Sequence, residues 1–315
     1  MLNDFEPLAS GPGAYVFVVV LGLLWGSFAN VCIYRWPPSP QFPHGRSVVA
    51  PGSHCFACKA PIRWYDNVPV VAWLWLRGRC RACKAAFSPR YLVVEAVTGG
   101  LFGFAWWAAV SAQALFEPFD VRLAHFAVYA AFSFVMVVIT FIDLDHKLIL
   151  NKITIPSIVI FYAASFLLPD RHWYDGVVGA AVGYGLPWAI GEIYYRVTRR
   201  EGLGLGDGML LALVGALLGW RGVLVSLFGG SMLGSVIGIT ALLIGRAGGE
   251  PAEDREAEAD PVKTQADPGP GSASTAEGPS LMRTELPFGP FLAAAALFYL
   301  FAEPWIQLHF HLPGG

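Results

Sequence analysis

The sequence predicts an all-α polytopic membrane protein of about eight transmembrane helices with a small cytoplasmic zinc-ribbon-like module. Three observations lead there. Hydrophobic residues make up 55% of the 315-residue chain and charged residues only 14%, against about 25% charged in an ordinary soluble domain. Apolar runs of membrane-crossing length recur from one end of the chain to the other, as helices dissolved in lipid require. Four of the five cysteines fall in two Cys-x-x-Cys pairs, too few for a disulfide scaffold but suited to metal or redox chemistry. A net charge of −2 gives no electrostatic footprint for nucleic acid.

Taken in order, the apolar runs lie at 14–34, 92–112, 123–142, 153–168, 174–195, 209–220, 223–245 and 288–308. At ~1.5 Å per residue most of them cross a ~30 Å hydrocarbon core, whereas 209–220 reaches ~18 Å and 153–168 ~24 Å. Short helices of this kind are tolerated where their ends line a wet cavity. The first run reads as a retained anchor and not a signal peptide, because Asp4 and Glu6 precede it, no basic residue does, and Arg35 follows it. Cys32 within it reads as a buried thiol. Placing the N-terminus outside puts 18 of the 21 basic residues on the cytoplasmic side and leaves only Arg122, Arg171 and Arg221 outside, in keeping with the positive-inside rule.

Gly-x-x-x-Gly spacings at Gly99/Gly103, Gly179/Gly183, Gly230/Gly234 and Gly234/Gly238 predict close helix packing inside the bundle. At 246–287 the composition changes to Gly, Pro, Ala, Ser and Glu, with nine acids against four bases and no aromatic residue. Such a stretch cannot bury enough apolar surface to offset its ordering entropy, so it reads as a disordered acidic linker. The resulting division is an N-terminal transmembrane helix (1–34), a four-cysteine module (35–91), a transmembrane core (92–245), the linker (246–287) and a last transmembrane helix with its tail (288–315).

Cys55-Phe-Ala-Cys58 and Cys80-Arg-Ala-Cys83 lie 21 residues apart, the spacing of a zinc ribbon. Each pair presents two sulfurs from one tight turn, and two such turns complete a tetrahedral site in a segment too small to fold alone. Lys59, Arg79, Arg81 and Lys84 favour the thiolates. Two disulfides are the bland alternative, disfavoured in a reducing cytoplasm.

Ionisable residues in or beside lipid need a partner or a wet cavity, which makes them functional candidates by default. Glu95, Asp143, Asp145 and Glu192 qualify. The third run ends in Phe-Ile-Asp143-Leu-Asp145-His146-Lys147, and the sixth begins after Gly204-Leu-Gly206-Asp207; the basic-residue count puts both at the cytoplasmic face. Asp207 in a glycine-rich turn reads alone as a helix N-cap. Beside a second acid it reads as half of a pair: two carboxylates sharing one proton let one act as base toward water and the other donate to a carbonyl oxygen. That is aspartic peptide hydrolysis. Asp143 and Asp145 point about 200° apart on a helix, so spacing does not choose between them. His146, Lys147 and Lys152 read as solvated interface residues.

These residues resemble the type IV prepilin leader peptidases, membrane aspartic peptidases of the Gly-x-Gly-Asp type, along nearly the whole chain. The resemblance rests on Gly26-Ser27-Phe28-Ala29-Asn30-Val31 with Tyr34-Arg35-Trp36-Pro37; on Ser53-His54-Cys55-Phe56-Ala57-Cys58, Asn67-Val68-Pro69 and Trp73 through Cys80; on Arg90-Tyr91 and Glu95; on Ile142-Asp143 with Leu150-Asn151; and on Gly204-Leu205-Gly206-Asp207. It implies Asp143 as the partner of Asp207. The implied substrate is the basic leader of a pilin or type II secretion pseudopilin precursor, cut on the cytoplasmic side of the inner membrane. Many members then methylate the new N-terminus with S-adenosylmethionine, and those carrying the cysteine module tend to be the bifunctional ones. One departure is Met209, where the family commonly has Lys two positions after the second aspartate. Lys147 or Lys152 would be the residues to compensate. No Gly-x-Gly-x-x-Gly stretch marks a soluble nucleotide fold, so the methyl-donor residues stay unnamed. An ion-coupled transporter, with midplane carboxylates and inverted repeats, and a non-catalytic membrane scaffold are the rival readings.

Overall fold

An apolar helix in lipid gains nothing from the hydrophobic effect on meeting another, so association depends on how closely the backbones approach and on buried polar contacts. The computed structural model, which describes residues 6–9, 11–113, 117–169, 171–199, 204–247 and 287–310, is organised on that principle. A short α1 (Glu6–Ala9) precedes α2 (Pro12–Arg35). The segment between α2 and α4 (Arg90–Trp106) carries the four cysteines and one short helix, α3 (Val71–Trp75). A π-type turn, Trp107–Ser111, extends α4; then come α5 (Phe119–His146), α6 (Asn151–Ser165), α7 (Trp173–Thr198), α8 (Leu205–Ala247) and α9 (Gly289–Phe310). No strand occurs among the described residues. The linker expected at 246–287 lies, apart from 246, 247 and 287, outside them.

Among the described residues, five helices are long and apolar enough to cross a membrane: Pro12–Arg35, Arg90–Ser111, Phe119–His146, Leu205–Ala241 and Gly289–Ile306. The count differs from the eight expected for three physical reasons. With 15 residues, α6 rises only ~23 Å. The 26 residues of α7 are long enough, but glycines, tyrosines, Pro187 and Glu192 dilute its hydropathy. The runs at 209–220 and 223–245 belong to one element, α8, interrupted at Gly219 with φ 69° and ψ −176°.

That interruption reverses the chain. Val223 Cγ2 lies 2.8 Å from where a Cβ on Gly215 would sit, whereas eight residues of unbroken helix would separate them by ~12 Å. The first arm of α8 packs against α7 in the opposite direction, because a Cβ at Gly179 or Gly183 would fall 2.2 Å from the carbonyl oxygens of Gly215 and Leu211. The second arm runs back along α9, through Gly222 against Tyr299 and Gly230 against Leu292. In the same way α2 meets α4 through Gly22 and Gly26 on one side and Gly99 and Gly103 on the other. The glycine spacings at 99/103 and 179/183, with Gly230, therefore pack within this chain. Cys32 is fully buried.

Three polar clusters tie helix ends together. Arg122 donates to the Val110 carbonyl at 2.8 Å and pairs with Glu6. His125 faces Glu117 at 3.0 Å and the Leu167 carbonyl at 2.8 Å. Arg171 donates to Glu303 on α9 at 2.6 Å and to the Leu218 carbonyl at 3.2 Å, closing the last turn of the first α8 arm just before Gly219. The contacts divide the chain into two units: Met1–Met232 with Pro287–Gly315 holds every residue discussed below, and Leu233–Leu286 is represented by the end of α8.

Gly219 occupies backbone territory that side chains avoid, at a cost of ~1–3 kcal/mol. Gly219→Ala is expected to lower the thermal unfolding midpoint of the detergent-solubilised protein, whereas Gly100→Ala, with nothing within 4 Å of the new Cβ, should leave it unchanged or slightly raised. Equal midpoints for the two variants would contradict the fold-back.

Candidate functional site

The end of α5 sets the site. Lys147 takes a left-handed conformation (φ 49°, ψ 44°) and its N–H returns to the Asp143 carbonyl at 2.8 Å, stopping the helix one turn beyond Asp143. The two acids that spacing left unresolved then part company. Asp143 is buried, 5% exposed, and Asp145 is exposed and ion-paired with Arg90, whose other nitrogen donates to the Phe141 carbonyl at 2.8 Å.

Asp207 is the third residue of α8 and half-buried. Its backbone N–H donates to the Gly204 carbonyl at 3.1 Å, and its carboxylate accepts from the Gly204 N–H, the reach-back of a capping box. Asp207 therefore stands in the first turn of the helix, three residues after Gly204, and not at the N-cap position itself. A Cβ at Gly206 would sit 3.2 Å from Ile149 Cβ, while one at Gly204 would meet nothing closer than Asp207 Oδ2 at 3.5 Å. Gly206 therefore makes room for Ile149, the buried residue of the turn that follows Asp143.

A third element reaches the same point. The Gly289 N–H, at the start of α9, donates to Asp143 Oδ2 at 3.0 Å, and Ile149 Cδ1 lies 3.5 Å from where a Gly289 Cβ would be. Asp143 and Asp207 approach closely enough to interact electrostatically. Gly289 was not singled out by the sequence reasoning. The available signal was Pro290 just inside a helix start, which locates the helix without saying what its first N–H meets.

The other candidates lie elsewhere. Glu192 is half-buried and pairs with Arg196 one turn on. Lys152 donates to the Trp36 carbonyl and to that of His44 at 3.3 Å, so it fastens the start of the cysteine segment to α6. Met209 follows Asp207 along α8 and is half-buried. Glu95, buried in α4, accepts from the Val70 N–H at 2.8 Å and from Ser27, joining α2, α4 and the cysteine segment.

Within that segment, the two Cys-x-x-Cys turns fold alike. The N–H of Cys55 donates to Ala60 and that of Lys59 back to Cys55; Cys80, Ala85 and Lys84 repeat the pattern. Lys59 and Lys84 share a left-handed φ near 60° (58° and 61°), and the bridges His54↔Pro61 and Arg79↔Ala86 close both turns. All four Sγ atoms lie within 4.8 Å of one another, a group able to hold a metal ion. Separations of 3.7 Å for Cys55–Cys83 and 4.0 Å for Cys58–Cys80 match the ~3.8 Å edge of a tetrahedron built on ~2.3 Å zinc–sulfur bonds, and are far from a disulfide. The Cys58 amide favours a thiolate on Cys55 and pushes its pKa down to about 6. The Ala85 amide favours one on Cys83, yet burial and the neighbouring sulfurs push that thiol up to about 11. Four sulfurs in one volume lose protons in coupled steps, and a bound cation would remove the conflict. Asp66, held below the usual carboxylate range by the Arg81 guanidinium at 2.6 Å, ties the intervening segment to the second turn.

Between this segment and the ends of α2 and α4 lies a cavity of about 540 Å³, its wall including Ser27, Tyr34, Trp73, Tyr91 and Glu95. It is mainly apolar with a few convergent polar groups, the usual make-up of a small-molecule site.

Residues 20–109 match the family described as the bacterial peptidase A24 N-terminal domain, and residues 130–239 match the type IV leader peptidase family. A protein of Myxococcus xanthus (strain DK1622) named prepilin leader peptidase/N-methyltransferase is 35% identical over 98% of this chain and 96% of its own length. Proteins of the same name from Dichelobacter nodosus (30% identical; 97% of this chain, 98% of that protein) and Aeromonas salmonicida (strain A449; 34%; 75% and 85%) are also similar. No solved structure matches the chain.

The sulfur geometry predicts one zinc ion per chain by elemental analysis. Cys80→Ser should release it and open the segment between α2 and α4 to limited proteolysis, and Cys32→Ser, away from the cluster, should change neither readout.

Proposed function

This chain belongs to the type IV leader peptidase family, and from that membership we propose a bifunctional membrane enzyme. It removes the basic leader from prepilins, and from pseudopilins of type II secretion, and then methylates the exposed N-terminus. The reading is supported by Asp143 and Asp207, from separate helices, lying within electrostatic reach of one another, with Ile149 packed against both Gly206 and Gly289. Relatives named as peptidases favour this reading over a transporter or a scaffold.

The proposed chemistry needs one proton shared by the pair. The ionised carboxylate takes a proton from water as the water oxygen bonds to the scissile carbonyl carbon, and the protonated one donates to the carbonyl oxygen. The tetrahedral intermediate then collapses: a hydroxyl returns its proton to the ionised carboxylate as the carbon–nitrogen bond breaks, the leaving amine accepts a proton from the protonated one, and the pair again holds a single proton. Roles are left with the pair because its apparent pKa values are macroscopic. Cleavage should follow a bell-shaped pH profile: at low pH both acids are protonated and no base remains, and at high pH both are ionised and no acid remains.

We read α6, α7 and the two arms of α8 as completing a bundle of eight membrane segments in the inner membrane, surrounded by lipid. The N-terminus lies outside and the aspartates at the cytoplasmic face, as the distribution of basic residues supports. The division at 1–34, 35–91, 92–245, 246–287 and 288–315 follows, with 246–287 as an acidic linker. Zinc on Cys55, Cys58, Cys80 and Cys83 would be structural, clamping the module over the cavity.

The cavity beside the module fits S-adenosylmethionine in size and character: about 540 Å³, with aromatic faces on Tyr34, Trp73 and Tyr91 and a buried carboxylate on Glu95. Aromatic faces and carboxylates are the groups that hold a cationic ligand. When bound, the cofactor supplies a methyl group to the new amine; these side chains would hold and orient it and exclude water.

Mixing detergent-solubilised protein with a precursor pilin tests the peptidase reading by the appearance of a shortened product. Asp143→Asn and Asp207→Asn should each lower cleavage by ~10²–10⁴-fold, the range for loss of a general acid or base. Asp145→Asn, which breaks only an exposed pair worth ~0–1 kcal/mol, should stay within about fivefold. Trp73→Ala and Glu95→Gln should lower methyl transfer about tenfold or more relative to cleavage in the same samples, which is ~1.4 kcal/mol of lost stabilisation; an unchanged ratio would remove the cavity from the methylation step.

A further inference from the structure

We infer that Gly289 is a positioning residue of the aspartate pair, its backbone N–H holding the Asp143 carboxylate in the orientation that cleavage requires. The inference rests on the reading of Asp143 and Asp207 as the catalytic pair and adds a third participant, from the last helix. The Gly289 N–H donates to Asp143 Oδ2 at 3.0 Å in a buried setting. The first N–H groups of a helix have no partner within it. In α9 the Leu292 and Phe291 amides return to the Phe288 carbonyl at 3.2 and 3.1 Å, and Pro290 has no N–H. The Gly289 amide is thus left to point at the carboxylate, at the positive end of a 22-residue helix.

The missing side chain matters equally. A Cβ at position 289 would fall 2.6 Å from Asp143 Oδ2 and 3.2 Å from Cγ, closer than packed atoms come, and Ile149 Cδ1 at 3.5 Å closes another side. Only glycine permits this approach without displacing the carboxylate. An N–H only donates, so Oδ2 is the acceptor, and the bond favours the shared proton on Asp143 Oδ1 or on Asp207. The far end of α9 is anchored as well: Glu303 pairs with Arg171, which also holds the Leu218 carbonyl. The first α8 arm and α9 therefore run side by side in one direction, joined at one end by Arg171 and meeting around Asp143 and Ile149 at the other. Of the charged groups on neighbouring elements, Asp207 from α8 interacts with Asp143, Arg90 from α4 is paired with Asp145, and Lys152 from α6 is bound to carbonyls of the cysteine segment.

The test compares kcat and KM for precursor cleavage by the full-length protein in detergent. Gly289→Ala, which pushes the carboxylate aside, should lower kcat 10- to 100-fold, the order of loss expected for misplacement by about 1 Å, with KM within about threefold and methylation of a precut pilin retained. Because that variant could lose its fold, a second full-length protein carries an ester in place of the Phe288–Gly289 amide, assembled by ligating a synthetic C-terminal segment. It lacks the N–H and adds no atom, and its kcat should fall about tenfold. Wild-type kcat in the ester protein, with Asp143→Asn inactive, overturns the inference alone. Full cleavage by Asp143→Asn overturns the reading of the pair and this inference with it.

Discussion

A carboxylate buried at the end of an apolar helix is the constraint on which the rest depends. Taking Asp143 away from water is costly unless its oxygens find partners, and lipid offers none. The structure supplies one from far along the chain, the Gly289 amide, and sets Asp207 and the apolar Ile149 side chain around the same point. Each contact requires backbones to approach more closely than ordinary side chains allow, so the same sites carry glycine. Gly206 clears space for Ile149 and Gly289 for Asp143 itself. A substitution that looked like a packing change at either place would move a charged group.

The long helices act as a frame for that point. The fold-back at Gly219 makes two arms of α8, one packed on α7 and the other on α9, and both contacts run through glycines whose Cβ positions are already filled by neighbouring atoms. Arg171 closes the frame by donating to the Leu218 carbonyl, just before the break in the helix, and by pairing with Glu303. Polar groups at helix termini are obligatory partners in lipid. Arg122, His125 and Arg171 meet that demand with carboxylates and carbonyls of their own, which is how three basic groups can sit among apolar helices.

The cysteine segment obeys a different logic. It is too small to bury a core of its own, and it relies on polar ties, Asp66 to Arg81, Lys152 to the carbonyls after α2, and Val70 to Glu95 inside α4, together with four sulfurs grouped as a metal ion would need them. The last of these joins the segment to the helices at the wall of the 540 Å³ cavity. Glu95 thus answers the question every acid in a spanning helix poses, and it does so by tying two parts of the protein together, away from the aspartate pair.

Much of this was legible in the sequence because it follows from local pattern. Apolar runs fix helices, paired Cys-x-x-Cys turns fix a four-sulfur cluster, and the Gly-x-Gly-Asp stretch with a distant Ile-Asp marks the acids. The choice of Asp143 over Asp145 came only from resemblance, since two residues on one helix differ by an angle that spacing cannot interpret until a neighbour is known; in the structure one acid is buried and the other is paired with Arg90. The union of two apolar runs into a single element folded back at Gly219 was hidden because glycine marks a break without giving its direction. Gly289 was hidden for a related reason: a residue without a side chain carries no chemical signal, and its contribution is a backbone N–H whose partner exists only once the last helix has docked against the end of α5.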